Sequence, residues 1–190
     1  MTLQRDIALS VLKPLIRDTD IVVAVYQSCF DWLAINPRDL NYVAVGAMGQ
    51  ASSHGLGLAL ANPGRRVIVL DGDGSLLMNL GSLVTIANAK VTNFYHFLFA
   101  NRVYEVNGAH PIPGGDAVDF ASMAQAAGYV GARGYADTAP FTRDLHDILA
   151  ERGPQMTVLE TTAGVSYPRD YDYIHSAQAR QTFRAALNRP

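Results

Sequence analysis

The run Arg66-Val67-Ile68-Val69-Leu70 constrains this chain more than any other stretch. Side chains of an extended strand alternate between two faces, and here both faces are apolar. Such a strand cannot lie on a sheet with one wet side. It needs cover above and below, as in the middle of a parallel sheet. The rest of the chain supplies that cover by alternating strands with helices. Short β-branched or apolar runs predict strands at Asp20–Tyr26, Asn41–Gly46, Asn93–Asn101, Tyr129–Arg133 and Met156–Thr161. Between and after them, helices are predicted at Ser28–Ile35, Gly49–Asn62, Ser75–Ala89, Ala117–Ala127, Phe141–Arg152 and Ser176–Asn188. At the start, Leu3, Ile7, Val11 and Leu15 fall on one helical face, and Pro14 ends or kinks that helix. This order predicts an α/β fold, a doubly wound, mainly parallel sheet with helices on both faces. One domain over 1–190 is expected, with its core at about 20–161 and a C-terminal tail at 162–190.

The ends of two strands are the oddity. Val67–Leu70 runs into Asp71-Gly72-Asp73-Gly74-Ser75, and Phe94–Ala100 runs into Asn101. In a doubly wound sheet, ligands sit at the C-terminal strand ends, so Gly46, Gly72–Ser75 and Asn101–Glu105 are expected on one rim. Glycines let backbone approach a ligand closely, and Ser75 is expected as the N-cap or first residue of a helix. A helix N-terminus favours phosphate, but Asp73 beside it repels phosphate unless a cation lies between. Mg²⁺ takes a few protein oxygens together with phosphate and water, and Asp73 and the Asn101 amide can each offer one. A plain strand-to-helix turn with a capping residue also accounts for Gly-Asp-Gly. Other nucleotide motifs do not fit. The Gly55–Leu60 segment lies inside a helix and ends in Leu, and no P-loop is present.

At this point the chain resembles the thiamine-diphosphate-dependent enzymes, in their cofactor-binding (diphosphate) domain. The likeness is carried by Gly72-Asp73-Gly74-Ser75 with Asn101 28 residues after Asp73, by Val45-Gly46-Ala47-Met48-Gly49, and by the loop from Asn101 to Pro113. It resembles the small subunits of sulfopyruvate decarboxylase and phosphonopyruvate decarboxylase in particular. The resemblance implies Mg²⁺ ligands at Asp73, Asn101 and the Val103 carbonyl. It implies diphosphate contacts at Gly72, Gly74 and Ser75, and aminopyrimidine contacts at Gly46, Ala47 and Met48, with Met48 wedged under the cofactor's bend. Tyr104 and Glu105 follow on the cofactor side. Where family members often carry a small pair after the first strand, this chain has Tyr26 and Gln27, with Ser28 next.

The resemblance also implies a missing part. In the family a glutamate on a separate pyrimidine-binding domain activates the cofactor, and this chain is too short to hold that domain. A pyrimidine-domain subunit is therefore expected as partner, in a dimer of heterodimers or larger. The implied activity is decarboxylation of a 2-oxo acid, a carbon–carbon lyase reaction. The alternatives are a carboligase of the acetolactate-synthase type and a non-catalytic scaffold. Composition agrees with a buried partner face, since charged residues are 17% against about 25% in a typical domain. A merely apolar domain is the other reading of the same figure.

Other classes fit less well. The net charge is −2 with no basic stripe, which argues against nucleic acid. No run approaches a membrane span, and the opening "MTLQRDIALSVLKPL" lacks signal-peptide character. A single cysteine, Cys29, makes no internal disulfide and cannot ligate an iron–sulfur cluster. A reducing, cytoplasmic setting is expected. Tyr104 either lines the substrate pocket or anchors its loop. His110 is a proton relay or an ordinary loop histidine. His54 and His96 are expected to be structural, and Cys29 a buried small residue. Arg102 either faces an anionic substrate or lies in an interface.

Overall fold

The structure is a computed structural model and describes residues 3–43, 48–162, 165 and 167–189. In chain order the elements begin with β1 (Leu3–Gln4), α1 (Arg5–Leu12), β2 (Ile21–Ala24), α2 (Tyr26–Ile35), β3 (Asn41–Val43) and α3 (Ala51–Ala61). The central part holds β4 (Val67–Gly72), α4 (Asp73–Leu77), α5 (Gly81–Ala89), β5 (Phe94–Ala100), β6 (Val103–Tyr104) and β7 (His110–Pro111). The last third holds α6 (Phe120–Ala127), β8 (Gly131–Tyr135), α7 (Thr138–Ala150), β9 (Gln155–Thr162), α8 (Tyr171–His175) and α9 (Ala177–Leu187).

Seven of these strands form one parallel sheet, ordered β3-β2-β4-β5-β9. The outer edge of β9 is shared, with β8 pairing along Gln155–Leu159 and β1 along Thr161 and Thr162. The chain steps outward from β2 to β3, then crosses back to place β4 on the other side of β2. That reversal opens a crevice between the C-terminal ends of β2 and β4, where ligands of such sheets bind.

The two-sided strand does what its composition requires. Val67 and Val69 belong to one buried cluster with Leu83, Ile86 and Ala124 of the helices on that face. Ile68 and Leu70 belong to the opposite cluster with Leu9, Trp32 and Leu145. Each fully buried aliphatic side chain contributes roughly 1.5–3 kcal/mol, so both helical layers are held by the same strand.

Four expectations need correction. The first helix does not bury the Leu3, Ile7, Val11, Leu15 stripe. Leu3 is a strand residue, and α1 turns Ala8, Leu9 and Leu12 inward while Ile7, Val11 and Leu15 are only half-buried. The face is rotated because Arg5 points inward, where it pairs with buried Asp31. The helix expected over Ser75–Ala89 is two helices, interrupted at Met78–Leu80 by a turn with 3.1 and 2.9 Å bonds from Met78 and Asn79 N–H to carbonyls three residues back. Ser75 does not open a helix, because α4 starts at Asp73 after Gly72 as its cap. The packed core also reaches beyond 20–161 on both sides, through Leu3, Leu9 and Leu12 and through Ile174, Ala179 and Phe183. His96 is fully buried 3.3 Å from Asp71, and Cys29 is buried with its thiol pushed up to about 12 by burial, then by the charge of Asp31.

Gly55 and Gly57 in α3 offer a test of this packing. A Cβ on Gly55 would collide with Val69 and Phe94 of the sheet, whereas one on Gly57 meets nothing within 4 Å. Gly57→Ala should therefore stabilise the fold by about 0.5–1 kcal/mol through helix propensity. Gly55→Ala should destabilise it by about 1–3 kcal/mol through overpacking. Urea unfolding midpoints of the two variants should shift in opposite directions.

Candidate functional site

The pairing of β4 with β5 sets Gly72 opposite Phe99, so both strands end at the same level. Asp73 follows one end and Asn101 the other. A cleft opens there, lined by Gly72, Asp73 and Ser75 after β4, by Phe99, Asn101, Val103, Tyr104 and Glu105 around the end of β5, and by Tyr26, Gln27 and Ser28 after β2. Met48 and Gly74 complete it, joined by Arg5 from α1. The structure thus brings together most of the residues singled out from the sequence. Gly46 and Ala47 lie outside the described residues. His110 is exposed in β7 and is not part of the cleft lining.

Asp73 is 2% exposed. One carboxylate oxygen accepts from its neighbour's Gly74 N–H at 2.7 Å, and the other from Arg102 N–H at 2.7 Å. Burial pushes its pKa up, opposed by those two hydrogen bonds. A carboxylate has about four acceptor sites, so the two bonds leave capacity for a cation. The Arg102 bond also ties the two strand ends to each other. On the other jaw, Asn101 Oδ1 accepts from Val103 N–H at 3.1 Å, and its Nδ2 donates to Glu105 at 2.9 Å.

Two non-glycine residues flank the cleft in left-handed backbone, Tyr26 at φ 46° and Arg102 at φ 64°. Such conformations cost of order 1–3 kcal/mol each and collect at functional sites. The Arg102 side chain faces neither cleft nor solvent alone. It donates to Glu160 at 2.6 Å and to the Gly115 and Val118 carbonyls at 3.2 Å, with Phe120 beneath its guanidinium. Its side chain straps the loop before α6 to β9, while its backbone N–H serves Asp73.

The glycines divide by cause. A Cβ on Gly74 would lie 2.5 Å from the Tyr104 ring, so Gly74 makes room for Tyr104, and Tyr104 anchors its loop there. A Cβ on Gly72 meets nothing within 4 Å. No packing in the described residues calls for a glycine at Gly72, which lines the cleft. Gly49 is held by two bonds, one to α4 and one to the turn that follows it. Its N–H donates to Ser75 Oγ at 3.0 Å and its carbonyl accepts from Asn79 Nδ2 at 2.9 Å. Met48, next in the chain, is thereby fixed at the cleft wall. The Ser75 hydroxyl is the acceptor in the first of these bonds. Gln27 Oε1 is buried with no hydrogen-bond partner among the described residues, an acceptor left unused at the cleft.

Sequence reasoning missed Arg5. Its Nε donates to Asp31 at 2.6 Å and its two Nη groups to both Glu105 oxygens at 2.7 and 3.1 Å. Gln27 Nε2 donates to the other Asp31 oxygen at 2.8 Å. Burial opposes the Arg5 charge, but its bond to Glu105 and the charges of Asp31 and Glu105 outweigh this and raise its pKa. No local pattern signals a contact 100 residues away, and on the expected Leu3, Ile7, Val11 and Leu15 face Arg5 would have pointed outward. Of the charged residues that line the cleft, Asp73 and Glu105 are acidic and Arg5 basic, an excess of carboxylate that suits a cation. Among the described residues no group of three His, Cys, Asp or Glu side chains could hold a metal by itself. A metal here would need oxygens from a ligand beside the Asp73 carboxylate and the Asn101 amide.

Residues 24–159 match the family described as thiamine pyrophosphate enzyme, C-terminal TPP binding domain. The chain belongs to that family. It is 33% identical over 179 residues to the phosphonopyruvate decarboxylase of Streptomyces viridochromogenes, which covers 94% of this chain and 45% of that protein. It is 36% identical over 129 residues to sulfopyruvate decarboxylase subunit beta of Methanothermobacter thermautotrophicus, covering 68% of this chain and 69% of that one. The matched region is thus under half of the first relative's length. Among solved structures, benzoylformate decarboxylase from Polynucleobacter necessarius superposes with a TM-score of 0.71 at 22% identity, over 88% of this chain and 35% of that one. At that identity the likeness shows the shared fold. No described helix is long and apolar enough to cross a membrane.

Removing Arg5 should leave Asp31 buried, charged and without its cation. Arg5→Ala is expected to cost about 3–5 kcal/mol of folding stability, the range for breaking a buried pair from one side. The loss should shrink as pH falls from neutral. Burial already raises the Asp31 pKa, and removing Arg5 raises it further, so the folded variant takes up a proton sooner than the unfolded chain. Urea unfolding of both proteins across that pH range measures the difference.

Proposed function

We propose that this chain is the thiamine-diphosphate- and Mg²⁺-binding part of a 2-oxo acid decarboxylase. In this reading Asp73, Asn101 Oδ1 and the Val103 carbonyl hold Mg²⁺, and Gly72, Gly74 and Ser75 border the diphosphate. Met48 lies against the cofactor's bend, and Gly46 and Ala47 meet the aminopyrimidine. Tyr104 and Glu105 act behind these contacts, Tyr104 by packing on Gly74 and Glu105 by bonding Asn101. The observation that carries the reading is the union of the two jaws. Asp73 and Asn101 end adjacent paired strands, and the Arg102 N–H holds the Asp73 carboxylate beside Asn101.

The residues present suit the cofactor. The excess of carboxylate suits a divalent cation, the bare Gly72 leaves space for a ligand, and the fixed Gly49 turn positions Met48. When bound, thiamine diphosphate supplies the nucleophilic carbon and electron sink that let a 2-oxo acid lose CO₂. The chain's own part is to orient that group and hold its cation. His110 lies outside the cleft, so its proton-relay role is not carried forward. The activating glutamate is assigned to a pyrimidine-domain partner, in a hetero-oligomer. The similarity to a protein named as a subunit of sulfopyruvate decarboxylase supports that arrangement. The names of the relatives also support a substrate with a second acidic group beside its 2-oxo acid.

The test is cofactor binding and turnover by this chain together with a pyrimidine-domain subunit. Asp73→Ala should lower Mg²⁺-dependent thiamine diphosphate affinity by at least about 100-fold, the upper range for disturbing a metal's surroundings. Unchanged affinity would refute the metal assignment. CO₂ release with an aldehyde product supports the decarboxylase. Accumulation of a coupled 2-hydroxy-3-oxo acid instead indicates a carboligase, and no turnover with cofactor bound indicates a scaffold.

A further inference from the structure

We propose that Glu105 and Arg5 are positioning residues that fix which way round the Asn101 amide faces, and so set the site's affinity for its divalent cation. This rests on the reading of Asn101 as a Mg²⁺ ligand. An asparagine can bind a cation only through its oxygen, and its two ends are nearly the same size. Something must therefore choose between them.

The structure shows what chooses. Glu105 Oε2 accepts from Asn101 Nδ2 at 2.9 Å, and Asn101 Oδ1 accepts from Val103 N–H at 3.1 Å. With the amide turned over, its oxygen would face the Glu105 carboxylate and its NH₂ would face the Val103 N–H. Both bonds would be replaced by contacts of like with like. Glu105 must itself be held, because an unpaired carboxylate there would turn toward any cation in the cleft. Arg5 holds it with two bonds, and Asp31 holds Arg5 from behind. Arg5 is 4% exposed and Asp31 1%, so this anchor lies within the protein. Arg5 also lies outside residues 24–159, the part that matches the family, so its role here is read from this structure alone.

The test uses the full chain with its pyrimidine-domain subunit, and reads the Mg²⁺ concentration for half-maximal thiamine diphosphate binding by calorimetry. Loss of groups that orient a metal ligand typically costs 10–100-fold in metal affinity. Glu105→Gln should raise the Mg²⁺ requirement about 10-fold or more, because a glutamine can present either end to Asn101. Diphosphate affinity at saturating Mg²⁺ should change little. The deciding variant is Asn101→Asp, whose two oxygens are equivalent and need no orienting, and which places a carboxylate against Glu105. In that background Glu105→Gln should lower the Mg²⁺ requirement. A merely structural role predicts the same penalty in both backgrounds, and that result would overturn the proposal. Arg5→Lys gives an independent check if Asn101→Asp does not fold. Lysine keeps the charge but cannot bond Asp31 and both Glu105 oxygens together, so the Mg²⁺ requirement should rise several-fold, and an unchanged requirement overturns the proposal. Asn101→Ala separates the two levels. If it leaves Mg²⁺ dependence intact, the metal assignment fails and this inference fails with it.

Discussion

The parallel pairing of β4 with β5 is the constraint on which the rest of the cleft depends. Its six paired positions carry both strands to the same height, and the sheet is buried on both faces up to that point. Within these strands the polar side chains Asp71 and His96 face each other at 3.3 Å, and further polar groups appear where the strands stop. Asp73 and Asn101 do so on neighbouring strands, which is how residues far apart in the chain come to line one cleft. A shift of one position in this register would move every side chain of β5 to the opposite face. The apolar packing of Phe94, Phe97 and Leu98 therefore also guards the geometry of the polar residues beyond them.

Much of this was legible in the sequence. The two-sided strand, the helix–strand alternation and the Gly-Asp-Gly and Asn signals are all local patterns, and each survives in the fold. Regular periodicity failed where a polar contact overrode it. The stripe Leu3, Ile7, Val11 and Leu15 looked like a buried face, but the inward pull of Arg5 rotated α1 away from it. The helix predicted over Ser75–Ala89 hid a break, where the Met78 and Asn79 N–H groups bond carbonyls three residues back and the Asn79 side chain reaches across to the Gly49 carbonyl. Arg5 was invisible as a site residue for the same reason. Its partners Asp31 and Glu105 are 26 and 100 residues away, and a distant ion pair leaves no mark on local pattern. Arg102 stood open between an anionic substrate and an interface, and its contacts within the chain were not legible either. Its side chain bonds loop carbonyls and Glu160.

Charge in this protein is sparse, and some of it lies where burial makes it expensive. Asp31, Arg5 and Asp73 are nearly inaccessible, and each is satisfied by several named partners. Such groups would be replaced by apolar ones if stability alone mattered, since a buried ion pair adds little over a well-packed hydrophobic substitute. The left-handed Tyr26 and Arg102 point the same way. The cleft keeps strain and buried charge in place, while the two apolar clusters of the sheet supply the stability that offsets them.

The seating of β1 has a consequence for how the chain is made. Leu3 pairs with Thr161 and Gln4 with Thr162, so the first strand described lies beside the last. During synthesis from the N-terminus, α1 and Arg5 emerge long before β9 exists to receive their neighbour strand. Contacts of such long sequence separation form late, and segments left waiting for them are exposed in the meantime. The seating of β1 should therefore be completed only once β9 has emerged, whereas the Arg5–Asp31–Glu105 network behind the cleft needs nothing beyond residue 105.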